Sequence, residues 1–267
     1  GAGSAATGVA DMIVASIVRG GISAEEARAG IWMLDIGGLL HSKRSDLESF
    51  NAIYAQPFER ISEWGYSESD RITLPDVVHR VQSSVLIGLS GQSGAFGESV
   101  VREMAAHTDR PVIFPLSNPT ALSEGIPSDL TEWTDGRALI ATGSPFPPVS
   151  FDGQSRHTAQ CNNVYIFPGV GLGVIASGAR RVSDAMFMAA AEALSDLSPA
   201  FTDSGGPLLP EIDRVREVSR RVAIAVGVEA QKEGLAPAME AEEWEHRVDT
   251  VMWQPRYATY RKVKTVG

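Results

Sequence analysis

Apolar residues fall at helical spacing from Ala5 to about Arg19, with Val9, Ile13 and Ile17 on one face, and Gly20 and Gly21 supply the stop. Ser23 and Glu26 form a capping-box start for a short second helix ending near Gly30. The apolar run Ile31–Leu34 predicts a buried strand with Asp35 at its carboxyl end. Residues 41–72 are polar and irregular, a loop with one or two helices. Thr73 then caps a helix through Val81, with Pro75 in its first turn where a missing N–H is harmless. From Ser84 the pattern repeats as strand, small-residue turn, helix. Ser84–Ser90 is a strand of the parallel type, followed by Gly91-Gln-Ser-Gly94 and a helix from about Gly97 to Ala106. Pro111–Phe114 is a strand delivering Ser117-Asn118-Pro119-Thr120, a helix runs through Leu130 and Trp133, and the strand Ala138–Ala141 ends in Thr142-Gly-Ser-Pro-Phe146. A hairpin fits residues 148–160, and helices are predicted over Ser183–Leu194, from Glu211 to about Lys232 and around Glu240–Val251. The long helix places Ile212, Val215, Val218, Val222 and Val226 on one face, and Trp253 is expected to dock the tail.

Alternating strands and helices predict an α/β fold: a Rossmann-like, doubly wound parallel sheet with flanking helices and a helical C-terminal tail from about residue 211 to 267. Ligands of such a sheet sit along its carboxyl edge, which would gather Asp35, Ser90, Asn118 and Gly143. The first strand of that fold is central and is absent from the sequence, which begins on a glycine turn. The expectation is therefore a fragment of a longer protein.

Charge and composition narrow the function. A formal net charge of −10, with only Lys43, Lys232, Lys262 and Lys264 as lysines, argues against a nucleic-acid groove. The single cysteine, Cys161, excludes an intramolecular disulfide and any multi-cysteine metal site, and fits a reducing, cytoplasmic setting. Val164–Ala179 is the most apolar long stretch, but Pro168 and four glycines break it, so it reads as a buried loop and helix rather than a membrane span.

The chemistry is carried by small residues. Gly1-Ala-Gly-Ser-Ala-Ala-Thr-Gly8 has the Gly-x-Gly-x-x-Ala form of a dinucleotide-binding turn running into a helix. Gly1 permits the bend, Gly3 lets backbone N–H groups approach a pyrophosphate, and Ala6 lets helix and sheet pack closely. Asp35 is placed to take the ribose hydroxyls, and its charge favours NAD over NADP, with Lys43 and Arg44 nearby as the opposing signal. Asn118 before Pro119 reads either as a turn residue or as a ligand-facing amide. Gly91-Gln-Ser-Gly94 reads as a cofactor-facing loop or as packing, and Gly169-Val-Gly-Leu-Gly173 as close helix packing. Cys161 has no histidine partner in the pattern and reads as a wall residue.

Six ordered motifs then coincide: the glycine turn, Ile31-Trp-Met-Leu-Asp-Ile-Gly-Gly-Leu-Leu40, Leu86-Ile-Gly-Leu-Ser-Gly-Gln92, Leu116-Ser-Asn-Pro-Thr120, Ala141-Thr-Gly-Ser-Pro-Phe146 and Asn162-Asn-Val-Tyr-Ile-Phe-Pro-Gly169. Together they resemble the carboxyl-terminal, NAD-binding domain of malic enzymes of the bacterial NAD-linked type, down to the terminal Met252-Trp-Gln-Pro-Arg-Tyr257. The resemblance implies oxidative decarboxylation of L-malate to pyruvate and carbon dioxide, with NAD as hydride acceptor and Mg²⁺ or Mn²⁺ as Lewis acid. It leaves open malolactic enzyme, which releases lactate, and a non-catalytic nucleotide-binding module. By resemblance Gly1, Gly3, Ser4 and Ala6 hold the pyrophosphate, Asp35 the ribose, and Ser90, Gly91 and Asn118 line the cofactor. Asn118 with Asn162 or Asn163 meets malate. The family's tyrosine acid, lysine base and metal carboxylates lie ahead of the glycine turn, so no catalytic or metal residue is assigned here. A homodimer or homotetramer is the family's expectation.

Overall fold

The computed structural model describes residues 1–203 and 206–257, and these divide into two compact units. The first comprises Gly1–Asn163 and Leu197–Ile212, and the second Val164–Asp196 with the chain from Asp213 onward. The helical part of the chain thus begins at Val164 and includes helices ahead of residue 211. The last ten residues of the predicted tail, and residues 204 and 205 of the Pro/Gly loop, lie outside the described residues.

In the first unit α1 (Ser4–Arg19) and α2 (Ala24–Ala29) form as the sequence predicts, the Ser23 side chain accepting from the Glu26 N–H at 3.2 Å. The next element departs from expectation. The apolar run before Asp35 is no strand of the main sheet; Leu34–Asp35 (β1) pairs antiparallel with Gly38–Leu39 (β2) in a two-residue-per-strand hairpin. A short apolar run does not by itself distinguish a sheet strand from a ribbon, and the Gly37-Gly38 pair supplies the tight reversal. Ala2, Ala10, Val14, Met33, Leu40 and Tyr54 bury together and join the glycine turn, α1 and the hairpin in one core.

Two short helices, α3 (Ser49–Ala52) and α4 (Phe58–Ser62), follow, then α5 (Leu74–Val81) with a capping box between Thr73 and Asp76. The sheet contains β3 (Val85–Gly88), β4 (Val112–Pro115), β5 (Leu139–Thr142) and β8 (Ala159–Gln160), all parallel and in that spatial order. Helices α6 (Glu98–His107) and α7 (Pro127–Trp133) are the crossovers, and β6 (Val149–Phe151) with β7 (Gln154–Arg156) form the predicted hairpin. Strand β8 was not foreseen, since two residues carry no periodicity. Its pairing on β5 matters because it aims the next residues, Cys161-Asn162-Asn163, along the same edge as the other strand ends. The core under the sheet is Leu86, Val100, Val101, Met104, Ile113 and Leu130 with Val78 and Phe96.

The second unit is helical: α8 (Phe167–Ser177), α9 (Asp184–Ser195), α10 (Val215–Lys232) and α11 (Ala241–Val251). Two glycines of Gly169-Val-Gly-Leu-Gly173 are packing residues, as read from the sequence: a Cβ on Gly169 would sit 2.6 Å from Val222 Cβ, and one on Gly173 would sit 2.8 Å from the Ala223 carbonyl oxygen, whereas Gly171 is exposed and a Cβ there would meet nothing within 4 Å. Val218, Val222 and Val226 are buried on α10, whereas Ile212 lies in a 3₁₀ turn ahead of it and is 57% exposed. The docking tryptophan is Trp244, 1% exposed, not Trp253, which is 73% exposed. Among the described residues no helix is long and apolar enough to cross a membrane.

Candidate functional site

The candidate site lies wholly in the first unit, where the parallel strands end beside the glycine turn. Gly1 touches the end of β3: a Cβ there would lie 2.5 Å from the Leu89 carbonyl oxygen and 3.2 Å from the Ser90 nitrogen, so the close approach excludes any side chain. At Gly3, by contrast, a Cβ would meet no protein atom within 4 Å. Gly3 is the N-cap of α1, no side chain caps the helix, and its first turn carries no acid. Unsatisfied N–H groups and the positive end of the helix dipole therefore face outward. The turn is tied down from behind, where Nδ2 of the buried Asn51, in α3, donates to the Ala2 carbonyl at 3.2 Å.

These two glycines make a discriminating pair. A side chain at Gly3 obstructs only an approaching ligand. Gly3→Ala should therefore melt like the parent protein yet raise the NAD dissociation constant roughly 10- to 100-fold, the value of hydrogen bonds to a charged group. Calorimetric titration checks this, and unchanged affinity would overturn the expectation that the turn holds a pyrophosphate.

Asp35 stands on the hairpin rather than on the sheet edge. Its Oδ1 accepts from the Gly37 N–H at 2.7 Å and from Arg44 Nη1 at 2.8 Å, and its Oδ2 accepts from Arg44 Nη2 at 2.8 Å. Arg44 also donates to Asp46 at 2.7 and 3.0 Å, and its hydrogen bonds to Asp46 and Asp35 raise its pKa further. A carboxylate offers about four lone-pair sites, so Oδ2 retains an acceptor position for a ribose hydroxyl. Lys43 faces elsewhere, toward Glu68 at 3.6 Å.

At the ends of β3 and β4 the residues converge on a carboxylate the sequence did not reveal. Glu124 is fully buried and accepts from Ser90 and Ser117, while Ser117 Oγ in turn accepts from the Gly91 N–H at 2.8 Å. Burial by itself would raise the Glu124 carboxyl; the hydrogen bonds from Ser117 and Ser90 outweigh it and hold it below the ordinary carboxylate value. Its only sequence signal is a charge in the short segment Leu122-Ser-Glu-Gly-Ile126, which no motif marks.

Asn118 follows Ser117 at the same edge and is exposed. Its Oδ1 accepts from Ser144 Oγ at 2.6 Å, while among the described residues Nδ2 has only a long 3.5 Å contact to the Leu116 carbonyl. The amide is thus held by its oxygen and keeps its N–H donors outward. Gly143 closes the β5 end against the same turn, since a Cβ there would lie 2.1 Å from the Leu116 oxygen. Asn162 and Asn163 are exposed immediately after β8, joined to the edge by the Cys161 N–H donating to the Thr142 carbonyl at 2.8 Å. Cys161 is a wall residue whose thiol burial pushes up to about 11, leaving it protonated. The sheet thus places Ser90, Gly91, Asn118, Gly143, Asn162 and Asn163 along one edge, with Gly1 against it and Asp35 on the neighbouring hairpin.

A dinucleotide fits these residues, because an uncapped helix start opposite an acceptor carboxylate answers both its phosphates and its ribose. A divalent metal does not: among the described residues no three His, Cys, Asp or Glu side chains are grouped to hold one.

The family model described as "Malic enzyme, NAD binding domain" matches residues 1–231. Curated NAD-dependent malic enzymes from Sodalis glossinidius and Shewanella sp. strain MR-4 are each 48% identical to this chain over 262 residues, 98% of it and 46% of the relative. The chain therefore spans about half the length of the curated relatives it matches. Solved malic enzyme structures from Pyrococcus horikoshii (TM-score 0.58, 22% identity, 80% of this chain and 44% of that one) and Entamoeba histolytica (TM-score 0.60, 23% identity, 83% and 42%) share its fold.

Proposed function

The chain belongs to the malic enzyme family, matching its NAD-binding domain, and from that membership we propose that it binds NAD and orients L-malate for oxidative decarboxylation to pyruvate and carbon dioxide. The observation that carries the reading is the uncapped start of α1, open at Gly3 and seated by Gly1 against the end of β3. Bound NAD supplies the hydride acceptor. The α1 N–H groups and Ser4 take the pyrophosphate, with Ala6 keeping the helix close; Asp35 Oδ2 takes the adenine ribose, and Ser90 and Gly91 line the dinucleotide.

Asn118 presents N–H donors to a malate carboxylate, and Asn162 or Asn163 supplies a second amide from the end of β8. Amides suit this task because they hold an anion without adding a cation that would compete with a metal for it. Mg²⁺ or Mn²⁺ and the proton-transfer groups belong to the same reading, but this chain's described residues form no site for the metal, so no step is assigned through it. Association into a dimer or tetramer, and a cytoplasmic setting, are further parts of the reading.

The test is turnover by the full-length protein with malate, NAD and Mn²⁺. Reduced cofactor appearing with pyruvate supports the proposal. Lactate without net reduction would make the protein a malolactic enzyme, and NAD binding without turnover a nucleotide-binding module. Asp35→Ser should raise KM for NAD about tenfold and free Arg44 for a 2′-phosphate, improving NADP relative to NAD. An unchanged ratio of kcat/KM for the two cofactors would remove Asp35 from the ribose site.

A further inference from the structure

Glu124 has no place in the reading above, yet it lies beneath both halves of the site. Its Oε1 accepts from the Ser90 N–H at 2.8 Å, Ser90 Oγ at 2.8 Å and Ser117 Oγ at 2.5 Å, while Oε2 accepts from the Ser117 N–H at 3.3 Å. An ionised carboxylate is acceptor only, and a serine hydroxyl has one hydrogen. Both hydroxyl hydrogens are therefore committed to Glu124, which leaves the hydroxyl lone pairs to receive backbone N–H groups. Ser117 Oγ accepts from Gly91 at 2.8 Å, and Ser90 Oγ accepts from Gln92 at 3.1 Å. A chain of fixed polarity runs from carboxylate to hydroxyl to backbone, crossing from the end of β4 to the loop after β3. The room for it comes from Gly88, where a Cβ would lie 2.5 Å from the carboxyl carbon.

We propose that Glu124 is a positioning residue whose carboxylate sets the hydrogen-bond polarity of Ser90 and Ser117, and so holds the cofactor turn at Ser90–Gly91 and the malate-facing turn at Ser117–Asn118 in one register. This rests on the function proposed above. The main chain at the same place makes separate bonds, Phe96 N–H to the Glu124 carbonyl at 2.8 Å and Gly94 N–H to the Ser123 carbonyl at 3.1 Å. Those bonds survive a side-chain replacement, so the carboxylate can be tested apart from the loop.

In the full-length protein Glu124→Gln keeps the volume but gives the group one donor end. Whichever way the amide turns, a donor then faces a donor, Ser117 N–H at one end or the three-fold cluster at the other. The expected result is a folded protein whose KM values for NAD and malate both rise about tenfold, the usual scale for losing hydrogen bonds to a charged group. Ser117→Ala, which removes the relay without removing the charge, should also raise both, and the double variant should be less than additive because the two act through one chain of bonds. A purely stabilising role would lower the melting temperature and leave both KM values in place. Values within twofold of the parent for either variant, or a rise for one substrate alone, overturn the proposal. If Glu124→Gln does not fold, Ser117→Ala decides the question on the same criteria. A parent protein that binds NAD without turning over malate refutes the functional reading instead. The NAD dissociation constant of the two variants, followed by fluorescence, then remains the readout, and unchanged values overturn the role of Glu124.

Discussion

Replacing Gly143 with alanine is expected to lower kcat/KM of the full-length protein in the proposed reaction on malate by about 100-fold or more, the usual cost of displacing a substrate-orienting group by an ångström. The new Cβ would stand 2.1 Å from the Leu116 carbonyl oxygen, 2.6 Å from its carbon and 3.0 Å from Asn118 Nδ2. The nearest neighbours are backbone atoms, which cannot swing aside as a flexible side chain would. Below the clash β4 and β5 stay registered, Val112 opposite Leu139 and Ile113 opposite Ile140, so the strain concentrates in the turn that carries Asn118. Overpacking of this kind costs about 1–3 kcal/mol, small enough for the protein to fold. Steady-state kinetics beside a thermal melt separates the effects: a large kinetic loss with a modest melting shift is expected. A loss of less than tenfold would take the Leu116–Asn118 turn out of the substrate site.

In the helical unit the largest expected effect is on stability. Trp244→Ala should cost about 3–5 kcal/mol, and lower the melting temperature by something on the order of 10 °C. Trp244 is 1% exposed, packs with Ala176, Ala223 and Val248, and its Nε1 donates to the Ile224 carbonyl at 3.1 Å. Its ring occupies the space of a missing side chain, since a Cβ on Gly227 would fall 1.9 Å from Cζ2. Trp253→Ala, at a 73% exposed position, is the matched control and should melt within a degree or so of the parent.

Local chemistry was legible in the sequence where a residue's task is set by near neighbours. The turn into α1, the caps at Ser23 and Thr73, and the strand-turn-helix repeats from Ser84 were readable because spacing and turn residues suffice to specify them. The Asp35 segment was readable as extended but not as a hairpin, since the pairing partner is a matter of tertiary context. In the tail, Trp253 and Trp244 look alike in isolation; Trp244 and Val248, four apart on α11, share the buried face. The carboxylate bonding of the site was invisible for a different reason. Glu124 meets Ser90 from 34 residues away, and Arg44 reaches Asp35 across nine, so neither contact leaves a period or spacing to read.

The bare start of α1 also bears on the lifetime of the protein. A helix that lacks its own cap borrows one from whatever anion it holds, so under the proposed function the nucleotide would be a component of the folded state as well as a reactant. At free NAD of about 100 times its dissociation constant that linkage adds roughly 2.7 kcal/mol against unfolding. Resistance to proteolysis would then rise with the concentration of free NAD, and a protein kept without nucleotide would be cleaved faster than one kept with it.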